Sequence, residues 1–142
     1  MIQLPQVTLV TVSGLGYKTQ EHLEALKKSQ EGIKFGAVKY IQDGSITDLD
    51  EYSKFMIYDL PKYVDTDFVL TVQADGWVIN PELWDDKWLE WDYIGAPWPL
   101  PQDAVSYRDK AGVIRRVGNG AVSPRSKKLM NITQQIVTGK HL

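Results

Sequence analysis

Cysteine is absent from the 142 residues. That excludes a disulfide framework, a thiolate zinc site and a cysteine nucleophile, and it suits a reducing compartment. Long apolar runs are absent too: the longest uncharged stretches are strand-sized, far short of the roughly 20 residues of a membrane helix. The N-terminus carries neither the basic region nor the cleavage site of a signal peptide. A soluble, cytoplasmic protein with no membrane span is expected. No repeat or low-complexity segment is present, and the length favours one domain over residues 1–142. Hydrophobic residues at 43% and charged residues at 24% exclude a disordered chain, a collagen-like repeat and a coiled coil.

The net charge of −2 hides an asymmetry. Residues 1–104 carry 8 Lys/Arg against 17 Asp/Glu, and residues 105–142 carry 8 Lys/Arg against Asp109 alone. Either the basic segment packs against the acidic part and the two neutralise each other, or a phosphate-bearing ligand sits between them. Nucleic-acid binding is disfavoured by the net charge and by the lack of aromatics interleaved with the basic residues.

The run Val7-Thr8-Leu9-Val10-Thr11-Val12, ended by Ser13-Gly14-Leu15-Gly16, reads as a buried strand and a turn. Thr19 is positioned to cap a helix over 20–30, with Leu23 and Leu26 on one face and Gly32 stopping it. Residues 34–41 read as a second strand. Asp48 is the natural cap of a helix with apolar residues at Leu49, Tyr52, Phe55, Met56 and Leu60, and residues 68–72 form a third apolar strand. Strands alternating with helices predict right-handed βαβ units: an α/β domain with a mostly parallel central sheet and helices on both faces. After residue 76 only short apolar pieces remain, at Val78-Ile79, Tyr93-Ile94-Gly95, 113–117 and Ala121-Val122. A last helix is expected from about Pro124 to Val137.

Ligands of open parallel sheets bind at the carboxyl ends of the strands. The third strand ends in Gln73-Ala74-Asp75-Gly76, where a carboxylate beside a glycine suits either a metal carrying phosphates or a plain Asp-Gly turn. All five tryptophans fall between Trp77 and Trp98. Trp84, Trp88 and Trp91 recur at helix-like spacing and are expected in the core. Trp98, between Pro97 and Pro99, is placed to offer its face to a sugar ring or a base. Gly118-Asn119-Gly120 reads as a hairpin turn or, with the helix after it, as a site for an anion or an acceptor hydroxyl.

A set of ordered blocks carries a resemblance: Thr66-Asp67-Phe68-Val69-Leu70, Gln73-Ala74-Asp75-Gly76-Trp77, Asn80-Pro81, Trp84, Asp92-Tyr93-Ile94-Gly95-Ala96-Pro97-Trp98, and Val117-Gly118-Asn119-Gly120 with Ser123, Arg125 and Ser126. Over residues 50–130 these resemble a family of glycosyltransferase-like domains. More distantly, Tyr52-Ser53-Lys54, Gln73-Ala74-Asp75 and Gly118-Asn119-Gly120 are similar to the layout of β-1,3-galactosyltransferases and fringe-type enzymes. The resemblance implies a single GT-A-like (Rossmann-like) domain, with residues 1–76 as a nucleotide-binding βαβ half and 77–142 as an acceptor-side half.

What the resemblance implies about activity is transfer of a sugar from a nucleotide-sugar donor, a UDP-sugar above all, to a hydroxyl of a glycan acceptor. Thr11, Val12 and Ser13 would lie beside the nucleotide base and Lys54 at the diphosphate, with Gln73, Asp75 and Gly76 also binding the donor. Asp75 would hold Mn²⁺ or Mg²⁺, and Trp98, Gly118, Asn119 and Gly120 would face the acceptor. Two departures stand out. Gln73 replaces the first carboxylate of the usual Asp-x-Asp tip. The chain also stops at Leu142 with no acidic residue after Asp109, where related enzymes continue into a segment that supplies the catalytic base; a truncated chain or a site short of its base follows. Asp92 is the remaining candidate for that base, against a structural role capping a turn or pairing with Arg125. The alternative from another class is a non-catalytic carbohydrate- or nucleotide-sugar-binding or assembly module.

Overall fold

The computed structural model describes residues 1–97, 100–106, 108–114, 117–119 and 122–137. Its organising element is β1, Ile2–Ser13, in which every residue from Val7 to Ser13 is buried. β-Branched residues on both faces of one strand require partners on both edges and cover on both faces. β2 (Ile33–Gln42) and β3 (Phe68–Thr71) supply the edges, each parallel to β1. β6 (Ser123–Ser126) adds to β3 antiparallel, giving the order β2-β1-β3-β6. A separate two-stranded piece pairs β4 (Ala96–Pro97) with β5 (Val117–Asn119).

The helices divide between the faces as the pleat dictates. Val7 and Leu9 pack with Ala25 and Leu26 of α1 (Thr19–Ser29), whereas Val10 and Val12 pack with Phe55 and Met56 of α2 (Leu49–Tyr58) and with Met130 of α3 (Lys127–Val137). The chain is therefore a small α/β domain with a mixed, mostly parallel sheet covered on both faces. No helix among the described residues is long and apolar enough to cross a membrane.

The expected strands and the first two helices are present, and Asp48 caps α2 by accepting from the Glu51 amide at 2.8 Å. Several details differ. Thr19 is the first helical residue; the cap is Lys18, in the left-handed region at φ 46° with no side-chain bond. Leu23 and Leu49, expected on apolar faces, are exposed at 43% and 78%. In α1 the inward face is instead His22, Ala25, Leu26 and Ser29. Pro124 lies in β6 rather than at a helix start, because pairing with Leu70 holds the chain extended until Ser126. Val78-Ile79 forms no strand. The Trp84–Trp91 stretch is not an α-helix but two short 3-10 turns, Pro81–Leu83 and Asp86–Glu90. Trp84 is half-buried and meets Trp88 edge-on at 5.1 Å; Trp88 and Trp91 are exposed at 39% and 67%, so neither belongs to the core.

Pro5 sits in the central strand without an N–H to give. The register absorbs it: Leu4 faces Phe35 and Thr8 faces Ala37, so residues 5–7 oppose Gly36 alone. This bulge also puts Leu4 and Val7 on the same face. The Pro5 carbonyl occupies the place a Cβ at position 36 would take. Gly36→Ala is expected to lower unfolding stability by about 1–3 kcal/mol, read by urea denaturation; an unchanged midpoint would show that the bulge relaxes freely.

Candidate functional site

With strand order 2-1-3, the chain leaves β1 through α1 on one face and reaches β3 through α2 on the other. That reversal opens a crevice at the carboxyl ends of β1 and β3. A cleft of about 720 Å³ lies there, lined by Val12, Ser13 and Gly14 from β1, Tyr17 and His22 from the α1 side, Ile46, Thr47 and Asp48 from the β2–α2 loop, Tyr52 of α2, and Gln73 after β3.

The walls are built by local bonds. The Asp43 amide donates to the Ser13 carbonyl at 3.1 Å, tying the two strand ends together. The Asp43 carboxylate accepts from the Ser45 amide and hydroxyl, which hold it below the usual carboxylate range. Gly14 is required because the Ile46 carbonyl fills its Cβ position. On the α1 side, Ser13 and Tyr40 share a hydroxyl contact at 3.2 Å, and His22 stacks on Tyr40 at 5.9 Å. His22 Nδ1 donates to the Lys18 carbonyl at 2.8 Å. In the neutral ring Nε2 is then the acceptor.

On the α2 side, Gln73 Nε2 donates to the Tyr52 hydroxyl at 2.8 Å. That hydroxyl therefore accepts one bond and keeps its own proton to give. Burial pushes the Tyr52 phenol above its ordinary value; the Gln73 bond and the Arg125 charge oppose this, and Asp75 adds to it. Gln73 and Gly76 exchange two backbone bonds, at 2.8 and 3.0 Å, so Gln73-Ala74-Asp75-Gly76 is a closed tight turn.

Among the residues singled out from sequence, Val12, Ser13 and Gln73 line the cleft. Thr11 is buried in β1 outside the lining, and its hydroxyl has no hydrogen-bond partner among the described residues. Asp75 and Gly76 stand at the turn beyond the lining. Lys54 is turned away, in an exposed i,i+3 pair with Glu51 at 3.3 Å. Gly118 and Asn119 belong to β5, with Asn119 opposite Ala96. Trp98 and Gly120 lie outside the described residues.

Asp92 is exposed and tied to α3: its Oδ1 accepts from Ser126 Oγ at 2.7 Å, and its carbonyl accepts from the Ser126 amide at 2.8 Å. Ser126 Oγ in turn accepts from the Leu129 amide at 3.0 Å, capping α3. Asp92 makes no ion pair with Arg125; Tyr93 meets that guanidinium instead, ring to cation at 5.4 Å. The α3 N-terminus also proves remote from the cleft. Ser126 pairs with Phe68 and the Lys127 amide donates to Asp67, at the amino end of β3.

As a divalent-cation site the β3 tip is poorly furnished. Asp75 is its one carboxylate, and Gln73 turns an N–H toward Tyr52 where a second carboxylate would offer oxygen. No group of three His, Cys, Asp or Glu able to hold a metal occurs among the described residues. Hard cations seek six or more oxygens.

Sequence reasoning passed over Tyr17 and His22. The signal for His22 was its place one turn before Ala25 and Leu26, on the inward face of α1. For Tyr52 and Lys54 it chose the charged member of the pair, whereas the cleft is lined by the tyrosine.

Two expectations follow. Ser126→Ala should cost about 1 kcal/mol of stability by urea denaturation, and Asp92→Ala should lower stability in the same direction; no loss from either would dissolve the cap. For Tyr52, a difference titration at 295 nm against Tyr52→Phe should place its ionisation above the ordinary tyrosine value. Asp75→Asn should bring it down, since a negative neighbour is removed, and Arg125→Gln should raise it further.

Residues 36–139 match a family whose description is "Protein of unknown function (DUF5672)". No curated protein and no solved structure matches the chain.

Proposed function

The chain belongs to the DUF5672 family, and we propose that it is a GT-A-like glycosyltransferase domain, transferring a sugar from a nucleotide-sugar donor to a hydroxyl of a glycan acceptor. The observation that carries this reading is the cleft of about 720 Å³ at the carboxyl ends of three parallel strands, of a size that suits a nucleotide-sized ligand. Its lining includes polar groups on both walls. Ser13, Tyr17 and His22 offer a hydroxyl, an aromatic face and a ring nitrogen to a base and ribose. Tyr52 and Gln73 offer neutral donors on the opposite wall, suited to phosphate oxygens. Gly118 and Asn119 are assigned to the acceptor side, as the order of blocks suggests.

In the transfer, the bond from the anomeric carbon to the diphosphate breaks as the acceptor oxygen bonds to that carbon, and the acceptor proton passes to a base. Asp92, with one oxygen held by Ser126, is a weak choice for that base. The same observation favours a second reading, a module that binds a nucleotide-sugar or glycan without turnover.

UDP and UDP-sugars are expected to raise the melting temperature in proportion to the logarithm of their concentration, by about 2.7 kcal/mol of stabilisation at a hundredfold excess over Kd. Thr47→Trp, an exposed substitution on the cleft wall, should abolish the shift while leaving the ligand-free melting temperature unchanged. No shift with any nucleotide would reject the nucleotide reading. Ligand-dependent shifts without product in a mass-spectrometric transfer assay would select the binding module.

A further inference from the structure

We infer that Arg125 is the cation that holds the donor's diphosphate, so that this cleft binds a nucleoside diphosphate without a divalent metal. The inference rests on the reading of the cleft as a nucleotide site and specifies how its charge is balanced.

The first ground is an unanswered charge. The two ion pairs formed among the described residues, Glu51–Lys54 and Asp59–Lys62, are exposed i,i+3 contacts inside the acidic part of the chain. Neither joins it to the basic segment. Arg125 is half-buried and has no carboxylate within 4 Å among the described residues.

The second ground is geometry. Arg125 stands opposite Val69 on β6, yet its Nε donates to Ser123 Oγ at 3.2 Å, and Ser123 is opposite Thr71, the last residue of β3. The side chain therefore runs along the strand toward the carboxyl end of the sheet. The guanidinium carbon lies over the Tyr93 ring at 5.4 Å, and among the described residues its Nε bond to Ser123 is the one side-chain hydrogen bond it makes. Arg125 stands beyond the residues that line the cleft, on the side of Tyr52, whose phenol its charge pulls down and that of Asp75 pushes up.

The third ground is the chemistry of the donors. Tyr52 has a free proton because Gln73 supplies the bond its oxygen accepts. Tyrosine hydroxyl and guanidinium together form an anion site, and a planar guanidinium meets phosphate oxygens in pairs. Gln73, where a metal site would want a carboxylate, fits this arrangement because it adds no negative charge. Asp75 forms no ion pair with Arg125, so the guanidinium keeps its charge for the diphosphate.

Calorimetry on the full chain with uridine, UMP and UDP, each in EDTA and in Mn²⁺, tests the inference. UDP is expected to bind in EDTA within about threefold of its affinity in Mn²⁺. Arg125→Gln should weaken UDP by about 10- to 100-fold and leave uridine unchanged, with Arg125→Lys falling between. Uridine binding by each variant serves as the check on folding. UDP binding that requires Mn²⁺ and disappears in Asp75→Asn would overturn the inference while leaving the nucleotide site standing. Equal loss of uridine and UDP in Arg125→Gln, with full retention in Arg125→Lys, would also overturn it, by making the residue a structural support. Failure of all three ligands under both conditions would overturn the nucleotide reading itself, and this inference with it.

Discussion

Burial of β1 on both faces and both edges is the constraint on which the rest of the domain depends. Every residue from Val7 to Ser13 is buried, so the strand's backbone hydrogen bonds must be answered by β2 on one side and β3 on the other. Parallel neighbours demand long return connections, and those connections are α1 and α2. One must cross each face, because Leu9 and Val10 point in opposite directions and each needs cover. Once the two crossovers lie on opposite faces, a crevice between them at the carboxyl ends is geometrically required. The cleft is a consequence of how one strand is buried.

What was legible in the sequence follows from the same fact. Uninterrupted β-branched runs and 3.6-residue patterns are strong because they record burial, and the three parallel strands and two helices appear where those patterns predict. β6 is invisible by this criterion: Ser123-Pro124-Arg125-Ser126 has no strand composition, and only the exposed edge of β3 makes it one. The same pairing shifts the start of α3. Proline at a first helical turn is a sound local signal, but the ladder with Leu70 prevails until Ser126 is free to cap. For the tryptophans, spacing suggested a helix, whereas Asp85 accepting from the Lys87 amide and Asp86 accepting from Trp84 Nε1 stabilise short turns that leave Trp88 and Trp91 outside.

At the site, legibility stopped where tertiary proximity began. Val12, Ser13 and Gln73 were accessible because strand ends can be counted along the chain. Tyr52 and Lys54 are two residues apart on α2, so the helix turns one toward the sheet and the other toward solvent. Charge alone favours the lysine; the burial of Phe55 and Met56 favours the tyrosine as the inward residue. Asp92 and Ser126 are 34 residues apart and meet through the return of β6 along β3. No local pattern marks that meeting.

The antiparallel sense of β6 also decides what the basic segment can contribute. A fourth parallel strand would end at the carboxyl edge and start its helix there, aiming a helix N-terminus at the crevice. β6 reverses this: it begins beside Thr71 at the carboxyl edge and delivers α3 at the far end, beside Phe68 and Asp67. The α3 N-terminus, with Lys127 and Lys128, is thus carried away from the cleft, and its amide at Leu129 is satisfied by Ser126. Backbone dipoles from α3 are unavailable to a ligand at the strand ends. Among the described residues of β6 only Arg125 is a cation, and its side chain runs back along the strand toward the carboxyl edge.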